Sequence, residues 1–341
     1  MIGQTIALDA MGGDFGSQVT VPASVQALLR FPLLNVILIG DQFEISRRLV
    51  LLGEEQASRI SIVHAEYSIA NDMRPSQALR TSKGSSMRIA LELVADGKAD
   101  AFVSAGNTGA LVALSRSLLK LLPGIDRPAL VSALPSLGHH QSWLLDLGAN
   151  VSVDADTLFQ FAVMGSVLAE EQLGYRPTVG LLNIGEEGIK GNDLVKCCSK
   201  MLQQCSAVNY IGYVEGDQIY TGKADVIVCD GFVGNVSLKT SEGVARLFLE
   251  NLKMHVLESP FKRLVAKWLL SRLFNALNHL SPDQYNGASL LGLRGIVVKS
   301  HGRADITAFQ HAIGEAVHEV DRQLPKKICE RLEEVLLERH Y

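Results

Sequence analysis

Cysteine is scarce and poorly spaced for chemistry. The five that occur, at positions 197, 198, 205, 229 and 329, form no CxxC pair, and neighbours 197 and 198 would point in different directions on a helix. A thiol zinc site and a disulfide framework are thereby excluded, and the reducing cytosol is the expected compartment. No basic stretch leads into an apolar run at the start: MIGQTIALDAMGGD reads as a first strand, not as a signal peptide. Charge is thin, at 20% of residues and a net −4, so nothing draws the chain globally to a polyphosphate backbone and nucleic acid is not an expected partner. Low-complexity linkers and short-period repeats are also missing. What is abundant is glycine, 30 in 341 residues, against a hydrophobic fraction of 47%. That composition belongs to glycine-rich globular α/β proteins, and the length allows a large core.

Short apolar runs alternate with small-residue loops and stretches of helical periodicity. Strands are expected at Thr5–Asp9, Asn35–Ile39, Arg59–His64, Asp100–Ser104, Ser142–Leu147, Thr178–Asn183, Val208–Val214, Asp225–Cys229 and Gly295–Ser300. Helices are expected at Ser17–Arg30, Asp41–Leu52, Ser85–Asp96, Thr108–Leu122, Asp154–Glu171, Asn192–Gln204, Val236–His255 and Asp305–Leu324. Strands that mostly read apolar throughout and are followed by covering helices predict right-handed crossovers and a mostly parallel α/β sheet. All βα loops should then open on one edge, where ligands of open sheets bind. We expect one continuous domain over 1–341, with a helical excursion near 257–285.

The loops are the strongest signal. Ala105-Gly106-Asn107-Thr108-Gly109 joins a strand to a helix, where glycine permits close approach and the helix N-terminus favours an anion. Tight βα turns need glycine anyway, and the loop is not a full GxGxxG, so a dinucleotide is weakly supported. Similar loops begin at Asp9, Asp146, Asn183 and Asp230; together they bring Asn150, Asn183, Asn235 and Lys190 to one cleft. Lys299-Ser300-His301-Gly302-Arg303-Ala304-Asp305 adds two cations and an imidazole, which suits phosphate, although Arg303 could instead pair with Asp305. Asp154 and Asp156 read as caps. Asp9, Asp14, Asp146 and Asp230 stand at strand ends without metal-ligand spacing, and no metal or other cofactor is expected.

One segment stands apart. Ser259-Pro260 opens FKRLVAKWLLSRLFNALNHL, which ends at Ser281-Pro282. Its apolar stripe includes Trp268 and Leu269, while Lys262, Arg263, Lys267 and Arg272 supply charge with no acidic residue. Four cations exclude a span, and an interfacial helix or packing against the core or a second subunit would explain the pattern.

In order, DAMGGD, SAGNTGAL, DLGAN, NIGEEGIKGND, DGFVGN and SHGRAD resemble the motif set of the bacterial phosphate:acyl carrier protein acyltransferases, the PlsX family, from about Ile6 to the last helix. The resemblance implies a Rossmann-like three-layer α/β/α fold of the isocitrate dehydrogenase and phosphotransacetylase group, working as a homodimer. It also implies the reaction of long-chain acyl carrier thioester with inorganic phosphate to give acyl phosphate and free carrier, feeding phospholipid (phosphatidic acid) synthesis. Lys190 and Asn235 match the positions implicated in catalysis. Asp9, Gly106, Asn107, Thr108, Gly109, Asn150, Asn183, His301 and Arg303 are the expected substrate-binding set. The resemblance further implies peripheral membrane association, which assigns Lys262, Arg263, Lys267, Trp268, Leu269 and Arg272 to lipid or carrier contact, with the downstream glycerol-3-phosphate acyltransferase as a partner. Three competing readings remain: a nicotinamide-dependent hydroxy-acid dehydrogenase, a short-chain phosphotransacetylase using coenzyme A, and a non-catalytic membrane scaffold.

Overall fold

A computed structural model describes residues 3–50, 54–257 and 286–339. Among these, eleven strands form one sheet: β1 (Gln4–Asp9), β2 (Leu34–Gly40), β3 (Ile60–His64), β4 (Ala101–Ser104), β5 (Ala129–Pro135), β6 (Gln141–Leu145), β7 (Thr178–Leu182), β8 (Asn209–Val214), β9 (Val226–Val228), β10 (Ala288–Leu291) and β11 (Ile296–Lys299). Their lateral order is β3-β2-β1-β4-β11-β10-β5-β6-β9-β7-β8. Helices are α1 (Ser17–Arg30), α2 (Gln42–Leu49), α3 (Glu54–Ser58), α4 (Pro75–Thr81), α5 (Ser86–Ala95), α6 (Thr108–Leu119), α7 (Ala155–Leu173), α8 (Asp193–Gln203), α9 (Gly231–Leu257), α10 (Ile306–Asp321) and α11 (Leu324–Arg339). The amphipathic segment expected near 257–285, with its six lipid- or carrier-contact residues, lies outside the described residues.

Local chemistry explains the helix starts. Asp41, Asn107, Asp154, Asn192 and Asp305 each accept a backbone N–H of the first turn, satisfying a donor that the helix itself leaves free. The sheet interior is apolar on both faces: Phe102 of β4 meets α5 and α6 side chains in one layer, while Ile6, Val103 and Val298 pack with Phe309 of α10 in the other. Under the second half of the sheet, α7 is buried around most of its circumference, with Phe161 fully enclosed.

The mostly parallel expectation holds, but not the single carboxyl edge. β11 pairs antiparallel with β10, β10 with β5 and β5 with β6, so three successive reversals turn β6, β9, β7 and β8 against β3, β2, β1, β4 and β11. β5 and β10 were not anticipated. Neither advertises itself: ALVSALP ends in proline and ASLL has no β-branched residue. α3, α4 and α11 were also missed; the helix expected over Asp305–Leu324 is present as α10, ending just before Gln323 turns left-handed at φ 52°. The two groups of strand ends still come close. Val298, Ser289, Val131 and Leu145 lie in one row across the sheet, so β11 and β6 end near the same level, three strand spacings or ~14 Å apart.

Candidate functional site

Over this seam lies a cavity of about 1280 Å³. Its size exceeds that of a pocket for one drug-sized ligand. Thr108, Lys239, Lys299, His301 and Arg303 line one end, Asn235 another part of the wall, and Leu130, Leu134, Leu137, Leu147, Leu238 and Phe248 supply the apolar surface.

At the β1–β4–β11 end, motifs from the chain's beginning, middle and end interlock. Asp9, 1% exposed, accepts a bond from Ser104 Oγ at 2.8 Å and one from the Met11 amide at 3.2 Å. Burial pushes its carboxyl up, against the lowering effect of those bonds. The Gly106 amide donates to the same Ser104 hydroxyl at 3.0 Å, and the Ala110 amide to Asn107 Oδ1 at 3.0 Å, so one N–H of the glycine loop and one of the first turn of α6 are already engaged. Asn107 Nδ2 spans three carbonyls, of Ala70, Asn71 and Met73, at 2.9–3.0 Å. Gly109 is small because a Cβ would stand 2.9 Å from Pro75 Cγ of α4. Asp9, Gly106, Asn107 and Gly109 therefore build the loop, while Thr108 faces the cavity. Asp14 receives Arg303 at 3.6 Å and its amide donates to Gly302 O at 2.8 Å, tying the first motif to the last. His301 accepts the Arg303 amide on Nδ1 at 3.1 Å; burial first, then the Lys239 charge, hold its imidazole below the usual range.

At the β6–α9 end the node is Asp146. Its Oδ1 accepts from Leu130, Gly148 and Ala149 amides and its Oδ2 from the Asn150 amide and side chain, at 2.7–3.2 Å. Asn150 Nδ2 also reaches Pro128 O at 2.7 Å, so this buried side chain fixes the loop and is not presented to the cavity. DGFVGN proves to be the first turn of α9 rather than a loop, capped by Asp230 Oδ1 on the Val233 amide at 2.8 Å. Glycine there serves close packing: a Cβ at Gly234 would fall 2.0 Å from Asp146 O, and one at Gly231 would fall 2.3 Å from Asn150 O. Helix α9 can thus sit against the 146–150 loop, and Asn235 Nδ2 donates to Leu147 O at 3.0 Å. A primary amide has two N–H groups, so this bond orients the side chain and leaves one donor for a ligand.

Lys190 is elsewhere. It ends the loop after β7, is exposed, pairs with Glu187 at 3.0 Å and does not line the cavity. Asn183 Nδ2 holds that loop through Gly185 O at 3.0 Å and Lys190 O at 3.4 Å. Hydrogen bonding and charge from Glu187 raise the lysine's pKa, so it is a cation. The expected residues thus divide: Thr108, Asn235, His301 and Arg303 meet at the cavity, whereas Lys190 and Asn183 stand outside it. Lys239 of α9 and buried Ser136 of β5's end were absent from the expected set, although both line it; neither belongs to a glycine loop, the signal followed in the sequence. Among the described residues no three His, Cys, Asp or Glu side chains are grouped to hold a metal ion, and no helix is long and apolar enough to cross a membrane.

The family described as fatty acid synthesis protein matches residues 4–327. Phosphate acyltransferase of Photobacterium profundum is 69% identical over 341 residues, all of both chains, and that of Vibrio campbellii 66% over 337 residues, 99% of each. The chain belongs to the PlsX family of phosphate acyltransferases. PlsX-type acyl transfer in lipid synthesis is accordingly its activity. Among solved structures, a Streptococcus pyogenes phosphotransacetylase matches with a TM-score of 0.61 at 17% identity, over 94% of each chain. The EutD phosphotransacetylase of Staphylococcus aureus matches with 0.58 at 17%, over 97% of this chain and 95% of that one. These likenesses establish that the PlsX chain shares the phosphotransacetylase fold.

Proposed function

We propose that the acyl donor is a long-chain acyl carrier thioester, that inorganic phosphate attacks it in the cavity over the seam, and that acyl phosphate and free carrier leave. The observation behind this reading is the pairing of a long apolar wall with a cationic end in one cavity. An acyl chain needs the first and phosphate the second. Phosphate is already anionic at neutral pH, its second ionisation lying near ~6 to 7, and the thiolate leaving group has a pKa near ~8.5. No covalent enzyme nucleophile is required. A phosphate oxygen forms a bond to the carbonyl carbon, the tetrahedral oxyanion collapses, the C–S bond breaks and the carrier thiolate takes a proton from water.

The enzyme's work is then to place two anionic partners together and to stabilise the oxyanion. Asn235 offers its remaining N–H to the thioester oxygen, with Leu147 O preventing the amide from turning away. Thr108, His301 and Arg303 surround the phosphate. Lys190 takes part once phosphate or the carrier's phosphopantetheine displaces Glu187, since exposed ion pairs are weak in water. The chain acts as one α/β unit. Its exposed apolar residues Val236, Val244, Leu247 and Phe248 on α9 lead toward the basic amphipathic segment, and together they serve pairing with a second copy, carrier docking or contact with a lipid surface and the downstream acyltransferase. Replacing Trp268 and Leu269 by Glu should abolish sedimentation with anionic vesicles while soluble turnover persists; unchanged sedimentation removes the lipid role.

The reaction is tested by incubating the protein with acyl carrier thioester and radiolabelled phosphate. Acyl phosphate is the expected product. Product from coenzyme A thioesters alone would replace the carrier by coenzyme A, and no product from any thioester would overturn the reading.

A further inference from the structure

A lysine at the end of a fully buried strand calls for an explanation, because lysine is almost never enclosed without a partner. Lys299 completes the run Ile-Val-Val-Lys of β11, in which every residue is buried, and is itself only 9% exposed. Its register partner is Ser104, the residue from which the 105–109 loop departs, and on its other side it faces Ala288 of β10. The ammonium donates to Ala105 O at 3.3 Å and to Ser300 O. An ammonium has three N–H groups, so two carbonyls leave one for the cavity that the side chain lines. Neighbouring cations already have carboxylates beside them: Arg303 pairs with Asp14 and Lys239 with Glu242. Among the described residues Lys299 forms no ion pair, and Asp9, the nearest carboxylate influence, is turned to Ser104 and Met11.

From this placement we infer that Lys299 is the cation that binds the attacking phosphate inside the cavity, between the loop after β4 and the Lys299–Arg303 turn. The inference rests on the acyl transfer reading above and adds a residue to it. Two carbonyls aim the ammonium, and the dianion supplies the missing negative charge in a site where water screens little. Thr108, His301 and Arg303 line the same space. Bound there, the phosphate shares the cavity with Asn235, so the thioester carbonyl can be presented to the nucleophile and the oxyanion donor together. Lys190, outside the cavity, is left to a step that precedes or follows this contact.

The site has its own pH signature. Burial lowers the Lys299 pKa to about 8; Asp9 raises it in part and Lys239 lowers it, with His301 and Arg303 as the remaining charged neighbours on the following turn. Free enzyme carries the charge below about pH 8 and loses it above, so kcat/KM for phosphate should fall about tenfold per pH unit on the alkaline side.

Two experiments test this. In the first, the full-length wild-type protein is labelled at lysines with acetic anhydride, with and without inorganic phosphate, and Lys190 and Lys299 are read by peptide mass spectrometry. Phosphate should protect Lys299, whether or not it protects Lys190; protection of Lys190 alone, or no phosphate-sensitive labelling of Lys299, overturns the inference. This readout needs no turnover, so it stands even if the acyl transfer assay fails. In the second, Lys299→Met should raise the phosphate KM by about 10- to 100-fold, the loss expected for a charge-assisted bond, with the carrier thioester KM unchanged and the alkaline limb gone. Wild type should also melt higher as phosphate is added and the variant should not. A folded variant with unchanged phosphate KM and intact phosphate-dependent melting refutes the role of Lys299 while leaving the acyl transfer itself intact.

Discussion

The two ends of the cavity are built by different means. At the β4–β11 end, charge gathers: Lys299, His301 and Arg303 come from one turn, set against a glycine loop whose amides partly hold their own side chains. At the β6–α9 end, charge is spent on structure: Asp146 gathers five hydrogen bonds and is wholly buried, and what reaches the cavity is the neutral amide of Asn235. One end suits an anion, the other a carbonyl that becomes anionic only in the transition state. Because the strands of the two groups run in opposite senses, each end is formed by carboxyl termini of its own half-sheet, and β5 and β10 are the floor between them.

This contrast can be broken in graded steps. Asp146→Ala strands several buried donors at once and should cost about 3–5 kcal/mol by denaturant unfolding. A cost below about 1 kcal/mol would mean that Asp146 is not the organiser of its end. Next, Gly234→Ala forces a Cβ to within 2.0 Å of Asp146 O, so α9 must move. We expect about 1–3 kcal/mol of destabilisation together with loss of turnover, because Asn235 moves with the helix; wild-type turnover would separate the amide from the chemistry.

Smaller still is the effect of Glu319→Gln. Ser289, whose strand neighbour Ala288 faces the cavity, points to the other side of the sheet and donates to buried Glu319. Burial and then the Glu315 charge push the Glu319 carboxyl well up. A raised folded pKa means that the native state binds more protons than the unfolded chain, so wild-type stability falls as pH rises from the unfolded value near ~4.3 toward the folded one, by at most about 1.4 kcal/mol per unit. The variant should lose this slope and match or exceed wild type at pH 8 in thermal melts; an unaltered slope would assign it to other groups. Last, Lys190→Ala should leave the melting temperature unchanged while turnover falls. Full turnover in that variant would remove Lys190 from the mechanism and sharpen the division between the two ends.

Much of this was legible in the sequence, and for reasons that can be named. Apolar runs with helical stretches between them announced nine strands, most of them because buried strands read as continuous hydrophobics; the edge strands β3 and β8 are only partly buried. Asp154 marked its helix through capping chemistry, while Asp305, read only as a possible partner of Arg303, proves to be a cap as well. What escaped was non-local. ASLL carries no strand signal of its own; its neighbours β11 and β5 make it a strand, and with it the reversal of half the sheet. The motif residues were legible as a set but not by task. Glycine at 231 and 234 reads as a ligand loop, yet these positions are packing contacts, and Asn107 and Asn150, expected in the substrate-binding set, hydrogen-bond to backbone carbonyls. Sequence spacing records that a residue type matters at a position; only the neighbours decide whether it faces a ligand.

The central claim is that an anion held at one end attacks a carbonyl held by Asn235 at the other. It is tested most directly by single-turnover formation of acyl phosphate from acyl carrier thioester and radiolabelled phosphate, comparing wild type with Asn235→Ala at saturating phosphate. The account predicts product from both, with the variant slower by about 100- to 1,000-fold, as for loss of one oxyanion donor, and with an unchanged phosphate KM and melting temperature. An equal rate in the two proteins, or a defect that excess phosphate repairs, would contradict it.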